Sequence, residues 1–264
     1  TGISSNHNKG IFITDSQWNN ITNNIIITTY GYSSNSGIDI SHSFNRIINN
    51  TISVTSQIYP YGIHLTGDNN TVSYNMITAG NSTTPAIGIF ITSDYADTRQ
   101  GNTIQGNIIH LNTSTTGTKG IHLSNDDHNI ISENIIISNG TSANRGLLLD
   151  SSDGNIIKNN SITTNGTGNQ SDGIYISGSS ERNMLFNNTI TAKYGYIIND
   201  TSYSSYENSL ISNNSFGQIN WTLTKLTTNI SLIIGETIFI ESNNIGLTDD
   251  AQALSLDGQA QIAF

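Results

Sequence analysis

The side chains able to do acid–base, metal or ligand chemistry are few in this chain. There are 6 His, 9 Lys and Arg, 19 Asp and Glu, and no Cys. Two histidines, His64 and His122, fill the same place in a recurring phrase, Gly-Ile-His-Leu at 62–65 and at 120–123. A zinc or copper ion needs two or three imidazoles within reach at once. Here Phe90 holds the intervening position, and His42, His110 and His128 fall at other places, so no histidine metal site is expected. Acids gather just before a recurring Asn, among them Asp15, Asp68, Asp94, Asp126, Asp127, Asp150, Asp153 and Glu181. Calcium takes such oxygen ligands, and Asp126, Asp127 and Asp153 form the one cluster to consider for it. Their loose spacing, without a fixed Asp-x-Asp repeat, favours solvated turn carboxylates, and no cofactor is expected. Lys119 and Arg145 precede the phrase's Gly in successive repeats, where cations could hold an acidic sugar or remove a proton next to its carboxylate. Asp172 takes the next equivalent position, which makes an Arg145 to Asp172 charge ladder the simpler reading.

The elements that position these residues follow from the repeat itself. The phrase begins at Gly10, Gly37, Gly62, Gly88, Gly120, Gly146, Gly173 and Gly195, at intervals of 22 to 32 residues, a solenoid period. Its Gly-Ile-x-Ile alternation has period two and marks a short strand with one face inward. After a polar turn comes Asn-x-Ile-x-x-Asn-x-Ile. The first Asn column runs Asn19, Asn45, Asn70, Asn102, Asn129, Asn155, Asn183 and Asn208, and the second Asn24, Asn50, Asn75, Asn107, Asn134, Asn160, Asn188 and Asn213. Each Asn-x-Ile unit sets a further strand, so every repeat is a three-stranded coil, and Ser215 breaks the final Ile position. Stacking at roughly 4.8 Å puts Ile on Ile and Asn on Asn. Asn suits the turns because it tolerates left-handed backbone and its amide bonds the coils on both sides. The Asn columns are therefore assigned to the fold, which is all-β: a right-handed parallel β-helix of about eight or more three-stranded coils over residues 1–216.

Past 216 the phrase disappears. Strand-like runs at 219–226, 229–234 and 236–241 are read either as a C-terminal β cap over residues 217–264 or as the start of a further β-domain. The capping alternative rests on the edge-pairing hazard of an uncovered β-helix end. The outward position of the phrase runs Phe12, Asp39, His64, Phe90, His122, Leu148, Tyr175 and Ile197. Phe12, His64, Phe90, His122 and Tyr175 make it a face for a partner or for glycan stacking, while Leu148 and Ile197 favour packing.

Composition bounds the partners. Formal net charge is −10, Lys and Arg are scattered singly, and the pI is about 4.7, which excludes nucleic acid and anionic membrane as partners. No apolar run approaches the length that spans a bilayer, the absence of cysteine leaves the compartment open, and the opening Thr1-Gly2-Ile3 reads as a mature or partial chain. Asn-x-Ser/Thr sequons are only modestly commoner than composition predicts, but Asn81, Asn112, Asn139, Asn165 and Asn169 fall together in the variable segments between the third strand and the next Gly. They are the glycosylation candidates, and they point to an extracellular, cell-surface location.

Over roughly residues 1 to 216 the quoted Asn-x-Ile columns resemble the Asn-rich right-handed β-helix repeat of the pectate-lyase-like superfamily, which includes a periplasmic family tied to copper-enzyme maturation and many surface proteins of archaea and bacteria. The resemblance implies the fold but leaves function open, since lyases, glycosidases, tailspikes and structural proteins share it. The Gly-His-Gly and Arg-Ile-Lys elements that accompany the paired acids of a polygalacturonase-like hydrolase are missing here, and no catalytic residue is assigned. The expectation is a glycosylated, self-associating surface, sheath, filament or adhesin component that contacts copies of itself, neighbouring surface proteins or glycans. The alternative is a polysaccharide lyase, glycosidase or glycan-binding module on the same fold.

Overall fold

A computed structural model describes residues 8–29, 34–80, 82–92, 101–168, 170–195 and 198–202, with the backbone of short strands at 209–210, 219–221, 237–239 and 261–263. All regular structure among them is strand, arranged in three parallel sheets of eleven, eight and seven strands. The first sheet takes the Gly-Ile phrases: Lys9–Ile13, Ser36–Ile40, Tyr61–Leu65, Ile87–Thr92, Lys119–Ser124, Arg145–Asp150, Asp172–Ser177 and Ile198–Asp200, followed by Ile219–Trp221, Thr237–Phe239 and Gln261–Ala263. The second takes the first Asn-x-Ile unit, from Asn20–Thr22 to Ser209–Leu210, and the third takes the other, from Ile25–Thr28 to Thr189–Ala192. Strands adjacent within a sheet are one coil apart in sequence. Seven coils are complete in all three sheets, and an eighth supplies strands to the first two, as the repeat predicts.

The core is the expected set of columns. Ile38, Ile63, Ile89, Ile121, Leu147 and Ile174 stack in the first sheet, Ile47 to Leu185 in the second, and Ile52 to Ile190 in the third, all buried. The repeat glycine is explained by crowding. A Cβ on Gly62 would stand 2.3 Å from Ile77 Cγ2 and 2.4 Å from Gly88 O, and Gly37, Gly88, Gly120 and Gly146 meet the equivalent isoleucines at 2.1 to 2.4 Å. Only glycine lets the first and third sheets come this close.

The Asn columns are ladders. Asn50 Oδ1 accepts from Asn24 N and Nδ2 (2.9 and 3.0 Å), and its own Nδ2 donates to Ile21 O, Ile48 O and Asn75 Oδ1. The same pattern recurs at Asn75, Asn107, Asn134 and Asn160. One amide thus supplies the acceptor and the donors a buried corner needs. The left-handed residue, however, is the one before the ladder Asn. Asn23, Asn49, Tyr74, Glu133, Asn159 and Asn187 have φ of 54 to 59°, with Gly106 at 65° in the same series. The ladder asparagines avoid this region because their side chains must lie over one another.

One register differs from expectation. Ile198, Asn199 and Asp200 pair with Ile174, Tyr175 and Ile176, so Asn199 takes the outward place assigned to Ile197. The shorter step from Gly173 to Gly195 leaves the second glycine against the Ser171 backbone instead of under the third sheet. Tyr196, Ile197, Asn208, Asn213, Ser215 and the run 229–234 lie outside the described residues.

Candidate functional site

The outward side of the first sheet carries the densest set of chemically able side chains. Parallel stacking fixes the column Phe12, Asp39, His64, Phe90, His122, Leu148, Tyr175 in consecutive coils. His64 and Phe90 stack with centroids 5.2 Å apart, and Phe90 and His122 at 4.9 Å, so the two imidazoles are two coils apart with a ring between them, as expected. Tyr61 joins this row from the position before the repeat Gly, 5.5 Å from Phe90 and 5.6 Å from His64. The spacing singles out that position at Lys119 and Arg145, and the structure adds Tyr61 and Lys9 to it. Strict alternation would put residues 61 and 64 on opposite faces, and only the break in alternation at Gly62 and Ile63, both buried, brings Tyr61 to the side of His64.

At one end of the row Asp39 is the hub. Lys9 Nζ lies 2.7 Å from Asp39 Oδ2, and His64 Nδ1 lies 3.3 Å from Oδ1. Burial pushes the Asp39 carboxyl up, but the hydrogen bonds and charges of His64 and Lys9 together outweigh it and hold it below the usual carboxylate value. Lys9 also lies 3.7 Å from the centroid of Phe12, whose ring is 53% exposed. At the other end the Arg145 guanidinium lies 4.5 Å over the Tyr175 ring and donates to Ala143 O. Arg145 is in register with Asp172 as the spacing predicts, and the Asp172 carboxylate accepts from Asn199 Nδ2 at 3.1 Å. Lys119 Nζ donates to Gly117 O, and burial, with the nearby Arg145 charge, lowers its pKa.

Mid-row, His122 has no hydrogen-bond partner for either ring nitrogen among the described residues. Burial, helped by Lys119, lowers it to about 3. It is a neutral ring in a stack and no surface base. The row offers flat π-surface and one hydrogen-bonding carboxylate, which suits packing or the face of a sugar.

The corner acids do not converge. Asp127 Oδ1 accepts from Asp153 N (2.7 Å) and Asp153 Oδ1 from Glu181 N (2.9 Å), so two carboxylates each accept from the backbone of the next coil along the axis. Asp126 is buried, accepts from Asn129 Nδ2 at 2.6 Å, and receives the side chain of the next coil through its own N–H, bonded to Ser152 Oγ. Burial raises its carboxyl to about 7; the Asn129 bond opposes this while the Asp68 and Asp127 charges add to it. Among the described residues no group of three or more His, Cys, Asp or Glu is placed to hold a metal ion.

Three glycosylation candidates form one column at the end of the third sheet. Asn112 pairs with Asn139, and Asn165 Nδ2 donates to Asn139 Oδ1 at 3.1 Å, while Asn139 Nδ2 reaches His110 Nε2 at 3.4 Å. Asn112 and Asn165 are exposed and Asn139 is half-buried. Asn81 and Asn169 lie outside the described residues.

Residues 36–216 match the family model described as a right handed beta helix region. No curated protein and no solved structure matches the chain.

Proposed function

Because this chain belongs to the right-handed β-helix family, we propose that it serves as an extracellular surface scaffold, an N-glycosylated and self-associating rod that contributes to a sheath, filament or adhesin. The observation that carries this reading is the direction of its polar chemistry. Asn, Ser and Asp side chains bond along the axis, coil to coil, as in Asn107 to Asn134 and Asp127 to Asp153, instead of meeting at one point. An active site needs convergent groups around a reacting atom, whereas a rod needs every coil joined to the next. Electron microscopy of the native material, combined with glycopeptide mass spectrometry, tests the reading. Ordered arrays or filaments with glycans on Asn112 or Asn165 are expected. Dispersed, unmodified monomers would overturn it.

A second reading, a glycan-binding or glycan-cleaving module, is favoured by the cluster of Phe12, Lys9, Asp39 and His64, where an exposed ring adjoins a carboxylate with two donors. A polysaccharide-binding and cleavage screen on wild type and Asp39→Ala separates the two readings, since only the module requires a loss on substitution.

A further inference from the structure

The three sheets differ in charge. Among the described residues, no strand of the third sheet contains Asp, Glu, Lys or Arg, whereas the first carries Lys9, Asp39, Lys119 and Arg145 among others and the second carries Arg46 and Lys158. The third sheet is also where large apolar side chains point outward. Met76, Ile108 and Ile135 are adjacent in register and 46, 46 and 45% exposed, and Ile25 and Ile27 at the sheet's edge are 78 and 67% exposed. Exposed isoleucine side by side on consecutive strands departs from the alternation that keeps one face of a sheet solvated.

We propose that this charge-free face is where two copies of the chain meet, packed third sheet against third sheet. The inference rests on the self-association in the functional reading and names its surface. Two considerations point to a second copy as the occupant. First, a chain of net charge −10 repels its own copies, and the cost is least where the facing strands carry no charge. Second, the ridge is self-complementary. The Ile108 strand is the fourth of seven, so a two-fold axis through it sets Met76 against Ile135 of the partner subunit, the isologous arrangement of a symmetric dimer. Seven strands at about 4.8 Å, each of four or five residues at about 3.3 Å, give a face on the order of 500 Å². Two such faces bury roughly 1,000 Å², the lower limit for a specific interface, so the pair is weak, micromolar or looser.

Sedimentation velocity of the full chain across a concentration series, from micromolar to millimolar, tests this with three proteins. Wild type is expected to show a concentration-dependent monomer–dimer equilibrium. Ile108→Lys is expected to weaken it at least tenfold, and Ile130→Lys, at an exposed isoleucine of the second sheet, to leave it unchanged. Ile135→Thr, a residue type the same column holds at Thr51 and Thr189, gives a milder loss should the lysine variant fail to fold by circular dichroism. Association that survives both third-sheet substitutions overturns the assignment of the face but keeps self-association. A wild type that stays monomeric throughout overturns both. A monomer that binds an insoluble neutral polysaccharide such as cellulose, and loses that binding in Ile108→Lys, overturns the second-copy assignment in favour of a glycan.

Discussion

His122 lies between Phe90 and Leu148 with neither ring nitrogen bonded among the described residues, and this gives it a definite pH sign. Burial holds it near pKa 3, against about 6.5 in the unfolded chain. As pH falls below about 6.5 the unfolded state takes up a proton that the folded state refuses, so stability is lost toward acid. His122→Phe, matching Phe90 in the same column, is expected to flatten this acid limb and add about 2 kcal/mol at pH 5, read from urea denaturation at pH 5 and pH 8. Asp126 runs the other way. Its folded pKa of about 7 exceeds the unfolded 3.8, so its contribution is fully present below pH 3.8 and lost as pH rises through 7. Ser152 and Ser180 hold the equivalent corner position in the next coils, each hydroxyl accepting a backbone N–H. Asp126→Ser is therefore expected to stabilise the protein by a few kcal/mol at pH 8 and by almost nothing at pH 3, and equal gains at both values would contradict a buried, uncharged carboxyl. His122 and Asp126 tilt the stability curve in opposite directions.

An Asn ladder is a demanding element because each amide is donor and acceptor at once. Asn107 Oδ1 accepts from Asn75 N and Nδ2, and Asn107 Nδ2 donates to Val72 O and Asn134 Oδ1 at 2.8 and 3.0 Å. Asn107→Asp keeps the acceptor but sets a carboxylate oxygen against two other oxygens in a buried corner. A loss of about 3–5 kcal/mol is expected, smaller at pH 4 than at pH 8, because the protonated acid recovers one donor. Equal stability of Asn107→Asp and wild type in thermal melts would remove the ladder from the list of stabilising elements. The glycine column fails by volume. A Cβ on Gly88 would meet Ile109 Cγ2 at 2.4 Å and Gly120 O at 2.5 Å, so Gly88→Ala must push the first and third sheets apart. The expected cost is about 1–3 kcal/mol, and pairing it with Ile109→Leu, which conserves volume but has no methyl branching from Cβ at the crowded Cγ2 position, is expected to recover part of it.

For the whole molecule, the coil is the unit of addition. Because each coil contacts only its neighbours, excising Gly120 to Arg145 joins Lys119 to Gly146 and leaves every column in register, with Phe90 facing Leu148 and Asn107 facing Asn160. The shortened rod is expected to keep its β circular dichroism and one cooperative melt at a lower Tm, and a molten or multiphasic product would show that some coil is irreplaceable. The same axial spacing limits modification. Adjacent coils are only about 4.8 Å apart, and the Asn139 amide is held by both Asn165 and His110. Glycopeptide mapping is expected to find Asn112 and Asn165 occupied ahead of Asn139.

In a solenoid the nearest spatial neighbour of a core residue is its own counterpart one coil away. Periodicity along the chain therefore determined by itself the inward columns from Ile38 to Ile174, the two Asn ladders, the parallel pairing and the stacking of His64, Phe90 and His122. What the repeat does not encode is contact across columns and at corners. Only the tertiary structure placed Tyr61 against His64 and Phe90, gave Asp39 both Lys9 and His64, moved the left-handed backbone one residue ahead of the second-column asparagines from Asn24 to Asn188, shifted the eighth coil to Asn199, and left Met76, Ile108 and Ile135 exposed on a sheet whose described strands carry no charge. Those outcomes depend on how side chains from different columns share space around a bend, and a one-dimensional period carries no information about that geometry.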